Sequence, residues 1–170
     1  ETLDDGLPIF DYANSGIRSD LLDLFLISRC SFYIGTGSGL DMVCSLFRKM
    51  SVLLNFSQLG TLPEISHNSL VLFRRMKIND RMLSLEEIIS NGYERFTRGS
   101  DFASAGITLV NNSDTEIRSI LFEAHQKLSG KWSSLGEESD QEEFRSFFKA
   151  AGHPNHLRAT IGAEFIKTII

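Results

Sequence analysis

The stretch of the sequence with the clearest capacity for chemistry is a run of small residues between two apolar segments. An apolar tripeptide at 32–34 precedes the run, and an apolar, helix-compatible segment at 40–47 follows it. Glycines let the backbone take positive φ angles and let a ligand approach closely, and the free amides and dipole of a helix N-terminus attract an anion. The pattern therefore predicts a phosphate-binding turn between a strand and a helix, formed by Gly35, Thr36, Gly37, Ser38 and Gly39.

Two familiar phosphate-binding motifs do not fit this turn. The dinucleotide fingerprint needs a third glycine at an offset that the sequence does not provide, and the P-loop needs a Gly-Lys-Ser/Thr ending that does not follow. A glycine-rich turn that binds no ligand accounts for the pattern about equally well.

A second turn, at residues 14–19, follows an apolar segment that we interpret as a buried strand at 8–13. Since ligands of parallel sheets bind beyond the carboxyl ends of the strands, both turns are expected at one edge of the sheet. Arg18 is predicted to pair with phosphate oxygens, because a guanidinium offers a fork of donors. The alternative interpretation is that Arg18 forms an ion pair with Asp20 or another carboxylate. Ser15 is a weaker candidate, because a hydroxyl that stabilises the turn explains it as well.

Short apolar segments alternate with helical patterns along the chain. The strands are predicted at residues 8–13, 30–34, 51–56, 69–73 and 107–110. The helices are predicted at residues 21–27, 40–47, 84–91, 113–130, 135–152 and 157–170. The segment 21–27 is apolar nearly all round, which predicts a helix packed on several sides. The alternation predicts an α/β fold with a mostly parallel sheet flanked by helices.

Composition sets limits on the class of protein. The chain has 170 residues, of which 42% are hydrophobic and 23% charged, and its net charge is −5. A negative charge argues against a general nucleic-acid binder, and no apolar run is long enough to span a bilayer. We find no signal-peptide pattern. Two cysteines in apolar segments, Cys30 and Cys44, are typical of reduced core residues, so we expect a cytoplasmic protein.

Neither the histidines nor the basic residues form a clear site. The four histidines do not cluster, and the pair at 153 and 156 encloses a proline, so no metal is expected. The basic cluster at 74–81 is interpreted as solvated charges on a loop, with a membrane surface or a lipid-linked acceptor as the alternative. The final apolar stripe, in residues 153–170, predicts a C-terminal helix that packs in the core or towards a partner domain.

Several motifs together resemble a family of bacterial glycosyltransferases with a GT-B-like fold. The first part of the match runs from 9 to 43, with an Asp-Tyr-Ala…Ser…Arg-Ser stretch, an acidic, leucine-rich helix, and a Cys-x-Phe-x-x-Gly-x-x-Ser-Gly motif. It continues in the segments 53–55, 96–98, 105–112 and 161–165. Gly37 and Asp41 depart from the residues most usual in the family.

The resemblance implies the C-terminal, donor-binding half of such an enzyme, with one Rossmann-like domain over residues 1–170. The chain is too short for both halves, so the acceptor-binding N-terminal domain, or a second copy of the chain, is the implied partner. A nucleoside-diphosphate sugar is the implied substrate, without metal or cofactor, and the acceptor is a cell-envelope glycan or a lipid-linked molecule. The implied donor-binding residues are Ser15, Arg18, Gly35, Thr36, Gly37, Ser38 and Gly39; catalytic residues are not assigned.

Three other functions remain compatible with the sequence. The first is a non-catalytic module that binds a nucleotide or sugar nucleotide. The second is an epimerase-type enzyme acting on a sugar nucleotide, although no acid–base pair is evident. The third is a purely structural α/β domain.

Overall fold

Four parallel strands form the central sheet of the protein. They are β1 (Phe32–Gly35), β2 (Met50–Phe56), β3 (Ser69–Phe73) and β7 (Thr160–Ile161). Their order is β1–β2–β3–β7, and each neighbouring pair is parallel. The structure is a computed structural model that describes Gly6 and residues 8–64, 68–133, 137–153 and 158–170.

A second, antiparallel sheet adjoins the first and is absent from the sequence prediction. It contains β4 (Arg75–Ile78), β5 (Arg81–Met82) and β6 (Thr108–Val110), in the order β5–β4–β6. The strand predicted at 107–110 therefore exists, but it lies outside the parallel sheet. The basic cluster predicted as a loop forms two of these strands.

Helices connect the strands and flank the parallel sheet. They are α1 (Asp20–Arg29), α2 (Gly39–Leu46), α3 (Leu85–Ser90), α4 (Gly99–Ser104), α5 (Asp114–Leu128), α6 (Glu137–Ala150) and α7 (Ala163–Ile166). Two 3-10 helices span Leu59–Glu64 and Tyr93–Arg95. The prediction of an α/β fold with a parallel sheet is confirmed, and the arrangement is compatible with a Rossmann-like fold. That one domain covers residues 1–170 stays a prediction.

Side-chain caps fix the starts of the helices that the sequence located best. The Ser19 hydroxyl accepts a hydrogen bond from the Leu22 amide at 3.2 Å and caps α1. Ser84 and Ser113 each form a capping box with the glutamate three residues later, at the starts of α3 and α5. These caps satisfy amides that have no partner inside the helix.

The core lies between the central sheet and helices α5, α6 and α7. The Phe73 ring of β3 lies 6.0 Å from the Phe144 ring of α6 and 5.0 Å from the Phe165 ring of α7. Gly162 lets α7 start close to the sheet, because a Cβ there would stand 3.1 Å from Leu72 and 3.2 Å from Ile120. The buried Glu123 carboxylate accepts a hydrogen bond from the Ala163 amide at 2.8 Å, which helps to hold α7 on α5.

The outer edge of β7 is closed by one side chain of α6. The buried Gln141 amide donates to the Ile161 carbonyl at 2.7 Å, and its oxygen accepts from the Ile161 amide at 3.1 Å. Both backbone groups that point away from β3 are thereby satisfied.

Two predicted elements near the N-terminus differ from the structure. Residues 8–13 form no strand, and Ile9 and Phe10 are exposed. The prediction was wrong because the segment bends into turns, in which the Asn14 amide donates to the Asp11 carboxylate at 3.1 Å and the Ser15 amide donates to the Tyr12 carbonyl at 3.3 Å, so it does not extend along the open edge of β1. The helix predicted at 21–27 is present as α1, but it is not packed on several sides, because Ile27 is its only buried residue.

The predicted C-terminal helix over 153–170 is also wrong. Residues 160–161 form β7 and residues 163–166 form α7, while 154–157 lie outside the described part of the chain. Ile161, Phe165 and Ile166 are buried in the core. The apolar stripe was real, but it belongs to a short strand followed by a short helix.

Three charges of the basic cluster, those of Arg75, Lys77 and Arg81, are paired within the protein. Arg75 forms an ion pair with Glu116, donates to the Thr168 hydroxyl at 2.7 Å, and lies over the Phe165 ring. Lys77 pairs with Asp80 at 2.7 Å and Arg81 with Glu87 at 2.8 Å. In the described part of the chain, no helix is both long and apolar enough to cross a membrane.

Both cysteines are free thiols, as predicted. Burial raises the pKa of Cys44 to about 11, so at pH 8 only about one Cys44 in a thousand is a thiolate. We therefore expect iodoacetamide to modify Cys44 at least about 100-fold more slowly in the folded protein than in urea, where the thiol pKa returns to about 8.5. Mass spectrometry of the Cys44 peptide after timed exposure measures both rates, and equal rates would contradict a buried, protonated thiol.

Candidate functional site

A crevice of about 620 Å³ opens beside the start of α2, at the carboxyl end of β1. The glycine-rich turn and α2 form one wall of the crevice, and β2 with the first residues after it forms another. Three residues of the predicted phosphate-binding turn line the crevice: Gly37, Ser38 and Gly39. Gly35 and Thr36, which precede them, do not line it.

Two glycines in the turn are required by close contacts. Gly37 has a φ of +87°, and a Cβ there would stand 3.0 Å from the Phe56 ring. A Cβ at Gly35 would collide with the Asp41 carboxylate and the Tyr33 ring. Gly39 differs from both, because a Cβ there would meet nothing within 4 Å. Gly39 is therefore open on the side where a ligand could approach the first turn of α2.

The carboxylate of Asp41 occupies part of the predicted anion site. It accepts a hydrogen bond from the Ser38 amide and so closes the N-terminus of α2 from within. Asp41 lines the crevice, and its burial raises the pKa of the carboxyl against the lowering effect of the Ser38 amide. We expected all the amides of the turn to be available to a phosphate, and for Ser38 this is wrong. The Gly37 amide is also hydrogen-bonded to this carboxylate. In the crevice, an anion is left with the amides of Gly39 and Leu40, which the first turn of a helix does not pair internally.

Removing the charge of Asp41 is expected to strengthen the binding of a nucleoside diphosphate. Asp41→Asn keeps an oxygen that can accept the hydrogen bond of the Ser38 amide. It removes a negative charge that we place about 6 Å from the phosphate, and the loss of this repulsion is expected to raise the affinity roughly tenfold. Titration calorimetry of the two proteins gives the ratio of the dissociation constants. Since protonation also removes the charge, that ratio is expected to fall towards one as the pH drops through the raised pKa of Asp41. Equal affinities at pH 7 would place the phosphate elsewhere.

Ser15 and Arg18 do not line this crevice. The Arg18 guanidinium is 63% exposed and lies 3.6 Å from the Asp23 carboxylate. The Ser15 hydroxyl donates to the Tyr12 carbonyl at 2.7 Å, which stabilises its own turn. Arg18 thus forms the carboxylate ion pair, and Ser15 the turn-stabilising hydrogen bond, that were the alternatives to ligand binding. Their role in binding a donor stays a prediction.

Arg158 is a cationic residue of the crevice that sequence reasoning missed. It precedes β7, whose Thr160 is aligned with Leu70 of β3, so it lies towards the amino ends of the strands. Two buried hydroxyls, Ser51 and Ser69, line the same end of the crevice and lie 2.6 Å apart. Polar groups thus stand at both ends of a crevice that runs beside α2. No sequence signal marked Arg158, because the strand after it was predicted as a helix.

A reciprocal pair of asparagines sets the position of the Phe56 ring. The Asn55 amide donates to the Asn112 side-chain oxygen at 2.6 Å, and the Asn112 amide donates to the Asn55 side-chain oxygen at 2.7 Å. The Asn112 side chain also donates to the Phe73 carbonyl at 2.9 Å. Asn55 has a φ of +52° and lies in an irregularity of β2 between Leu53 and Phe56. The pair joins the two sheets next to the ring that packs against Gly37.

The described histidines lie outside the crevice. His153 lies 3.3 Å from the buried Glu94 carboxylate, and His125 is exposed on α5. His67 and His156 fall outside the described residues. Within the described ranges, no three side chains of the His, Cys, Asp or Glu type come together as metal ligands would.

Comparisons with protein-family models, with curated proteins and with solved structures found no match to this chain. The resemblance to glycosyltransferases therefore stays a prediction from the sequence motifs.

Proposed function

We propose that the chain is the donor-binding part of a glycosyltransferase, and that its crevice holds a nucleoside-diphosphate sugar. The observation that carries this proposal is the position of the crevice, beside a glycine turn and a helix N-terminus at the carboxyl end of a parallel strand. Ligands of open parallel sheets bind at this edge, and the volume of about 620 Å³ lies in the ordinary range for ligand pockets.

The proposed ligand orientation follows from the distribution of polar groups. The diphosphate would accept hydrogen bonds from the amides of Gly39 and Leu40, where the helix dipole favours an anion. Phe56, Gln58 and Thr61 line the crevice near the carboxyl end of β2 and offer an aromatic ring, an amide and a hydroxyl to the nucleoside and sugar. Arg158 stands at the opposite end of the crevice, so we assign it no contact with the diphosphate.

The acid–base chemistry of sugar transfer has no evident source in the crevice. Among the described residues that line it, Asp41 is the only carboxylate, and it is engaged with the Ser38 amide. We therefore propose that the acceptor and its general base come from another domain or chain, and that this chain alone binds the donor without turning it over. The same observation favours a second candidate, a nucleotide-binding module without catalysis.

A binding panel tests the proposal. UDP, GDP, ADP, CMP and their sugar conjugates are each added to the protein, and the unfolding temperature is measured. A specific ligand at 100 times its dissociation constant adds about 2.7 kcal/mol of stability, which for a chain of this size is about 5–10 °C. A shift with one base and not the others supports the proposal, whereas no shift with any of them contradicts it. Hydrolysis or transfer by the isolated chain would contradict the assignment of the base to another part.

A further inference from the structure

Helix α1 carries a large exposed apolar surface, which we call the α1 face. Leu21 is 78% exposed and Phe25 is 56% exposed, and Leu24, which lies on the same side of the helix, is 42% exposed. A helix of ten residues is marginal in water without tertiary contacts. The α1 face thus has the composition of a buried helix surface but no partner among the described residues.

The outer edge of β1 is open next to the α1 face. Within the described chain, β1 pairs with β2 alone, so the backbone groups of its other edge have no strand partner. Exposed edges are usually protected by lysine, proline or a bulge, and β1 reads Phe-Tyr-Ile-Gly with no such device. A further cavity of about 230 Å³ lies beside these elements and is lined by Leu26 and Ile27 of α1, Tyr33 of β1 and Leu40 of α2, together with Tyr12, Asp23 and Cys30. An apolar helix therefore adjoins an unpaired strand.

We propose that this surface binds a second copy of the chain. The two β1 strands would pair antiparallel across a twofold axis, so that the parallel sheets become continuous, and the two α1 faces would pack on each other. Such an interface is self-complementary, because the same patch is used on both copies.

The charge distribution favours identical partners. The chain carries a net charge of −5, which opposes the association of most of its surfaces with a second copy. The run at 24–27, Leu-Phe-Leu-Ile, and the strand β1 contain no charged side chain, and the nearby Asp23 is paired with Arg18. The charged residues of α1 are Asp20 and Asp23 in its first turn and Arg29 in its last turn, so two α1 helices packed antiparallel bring opposite charges together at their ends.

The apolar area is comparable to that of a homodimer interface. With about 170 Å² for a fully exposed large apolar side chain, the exposed fractions of the α1 face and Ile34 amount to roughly 380 Å² per copy. A standard interface buries about 800 Å² per partner, of which about 65% is apolar in homodimers. The α1 face and Ile34 supply most of that apolar area. This proposal does not depend on the ligand of the crevice.

Sedimentation velocity with a matched pair of variants tests the proposal. The wild-type chain and two variants, Phe25→Glu on α1 and Phe122→Glu on α5, are compared at 10–100 µM (concentrations chosen as roughly those at which weak dimers form). Phe122 is 60% exposed and lies outside the α1 face, so it is a control for the charge and for the loss of a phenyl ring. We expect dimers of the wild type and of Phe122→Glu, and monomers of Phe25→Glu with an unchanged circular dichroism spectrum.

Hydrogen exchange then tests whether the strands take part. The amides of residues 32–35 are expected to exchange at least about tenfold more slowly in the dimer than in monomeric Phe25→Glu. A monomeric wild type, open-ended association, or a dimer that survives Phe25→Glu would overturn the proposal. A dimer without slower exchange in β1 would overturn the pairing of the strands.

Discussion

Replacing Asn112 with alanine is expected to lower the free energy of unfolding by about 3–5 kcal/mol. The change removes the acceptor of the Asn55 amide and the donor to the Phe73 carbonyl. Asn112 is buried, and each buried backbone group left without a partner costs about 1–3 kcal/mol. Because Asn55 adopts a left-handed conformation that these bonds hold in place, the irregularity in β2 is expected to loosen as well.

The neighbouring Asn111 provides the control for this change. Its side chain is exposed, so Asn111→Ala is expected to alter stability by no more than about 0.5 kcal/mol. Urea denaturation of the wild type and both variants gives the three free energies. A loss below about 1 kcal/mol for Asn112→Ala would show that the reciprocal pair contributes little to the connection between the sheets.

Replacing Gly39 with valine is expected to weaken the binding of a nucleoside diphosphate by at least about 100-fold, equivalent to about 2.7 kcal/mol. The new side chain would project into open space at the first turn of α2, where the proposed phosphate needs close contact with the backbone. Gly39 does not have a positive φ, so valine can adopt this conformation. The stability of the variant is therefore expected to remain within about 1 kcal/mol of the wild type.

A second helix supplies the matched control for Gly39→Val. Gly99 is also the first residue of a helix, and a Cβ there also meets nothing within 4 Å. Gly99→Val lies outside the crevice and is expected to bind the nucleotide with wild-type affinity. Calorimetric titration with the nucleotide chosen by the binding panel compares the three proteins. Unchanged affinity in Gly39→Val would exclude the N-terminus of α2 as the phosphate site.

Local signals in the sequence were sufficient for part of the fold. Capping serines act within four residues of the chain, so the starts of α1, α3 and α5 could be predicted at Ser19, Ser84 and Ser113. The strands β2 and β3 are short apolar runs bounded by polar residues, and they were also found. A strand was also predicted at 8–13 and is absent from the structure, because an apolar pattern does not show whether a segment pairs with a neighbouring strand. The prediction of a helix at 157–170 was wrong because β7 is only two residues long, and so short a strand leaves no periodic signal in the sequence.

Of the candidate site, the glycine turn could be predicted from the sequence, and the residues that complete the crevice could not. The glycine turn is contiguous in sequence, and three of its residues do line the crevice. Arg158 and the pairing of Asn55 with Asn112 depend on contacts between distant parts of the chain, which no periodicity encodes. The position of Asp41 could have been anticipated, since an acidic residue three positions after a serine has the spacing of a capping box.

The amide of Gln141 determines how far the sheet of this protein can extend. It already pairs the Ile161 amide and carbonyl at one edge, so among the described strands of the parallel sheet a further strand can be added only at the outer edge of β1. A chain with two bare rims could add copies indefinitely and grow into a fibre, whereas one with a single bare rim is complete after one addition. If two copies pair through β1 as proposed, Gln141 limits the assembly of the parallel sheet to two copies as well as stabilising the fold.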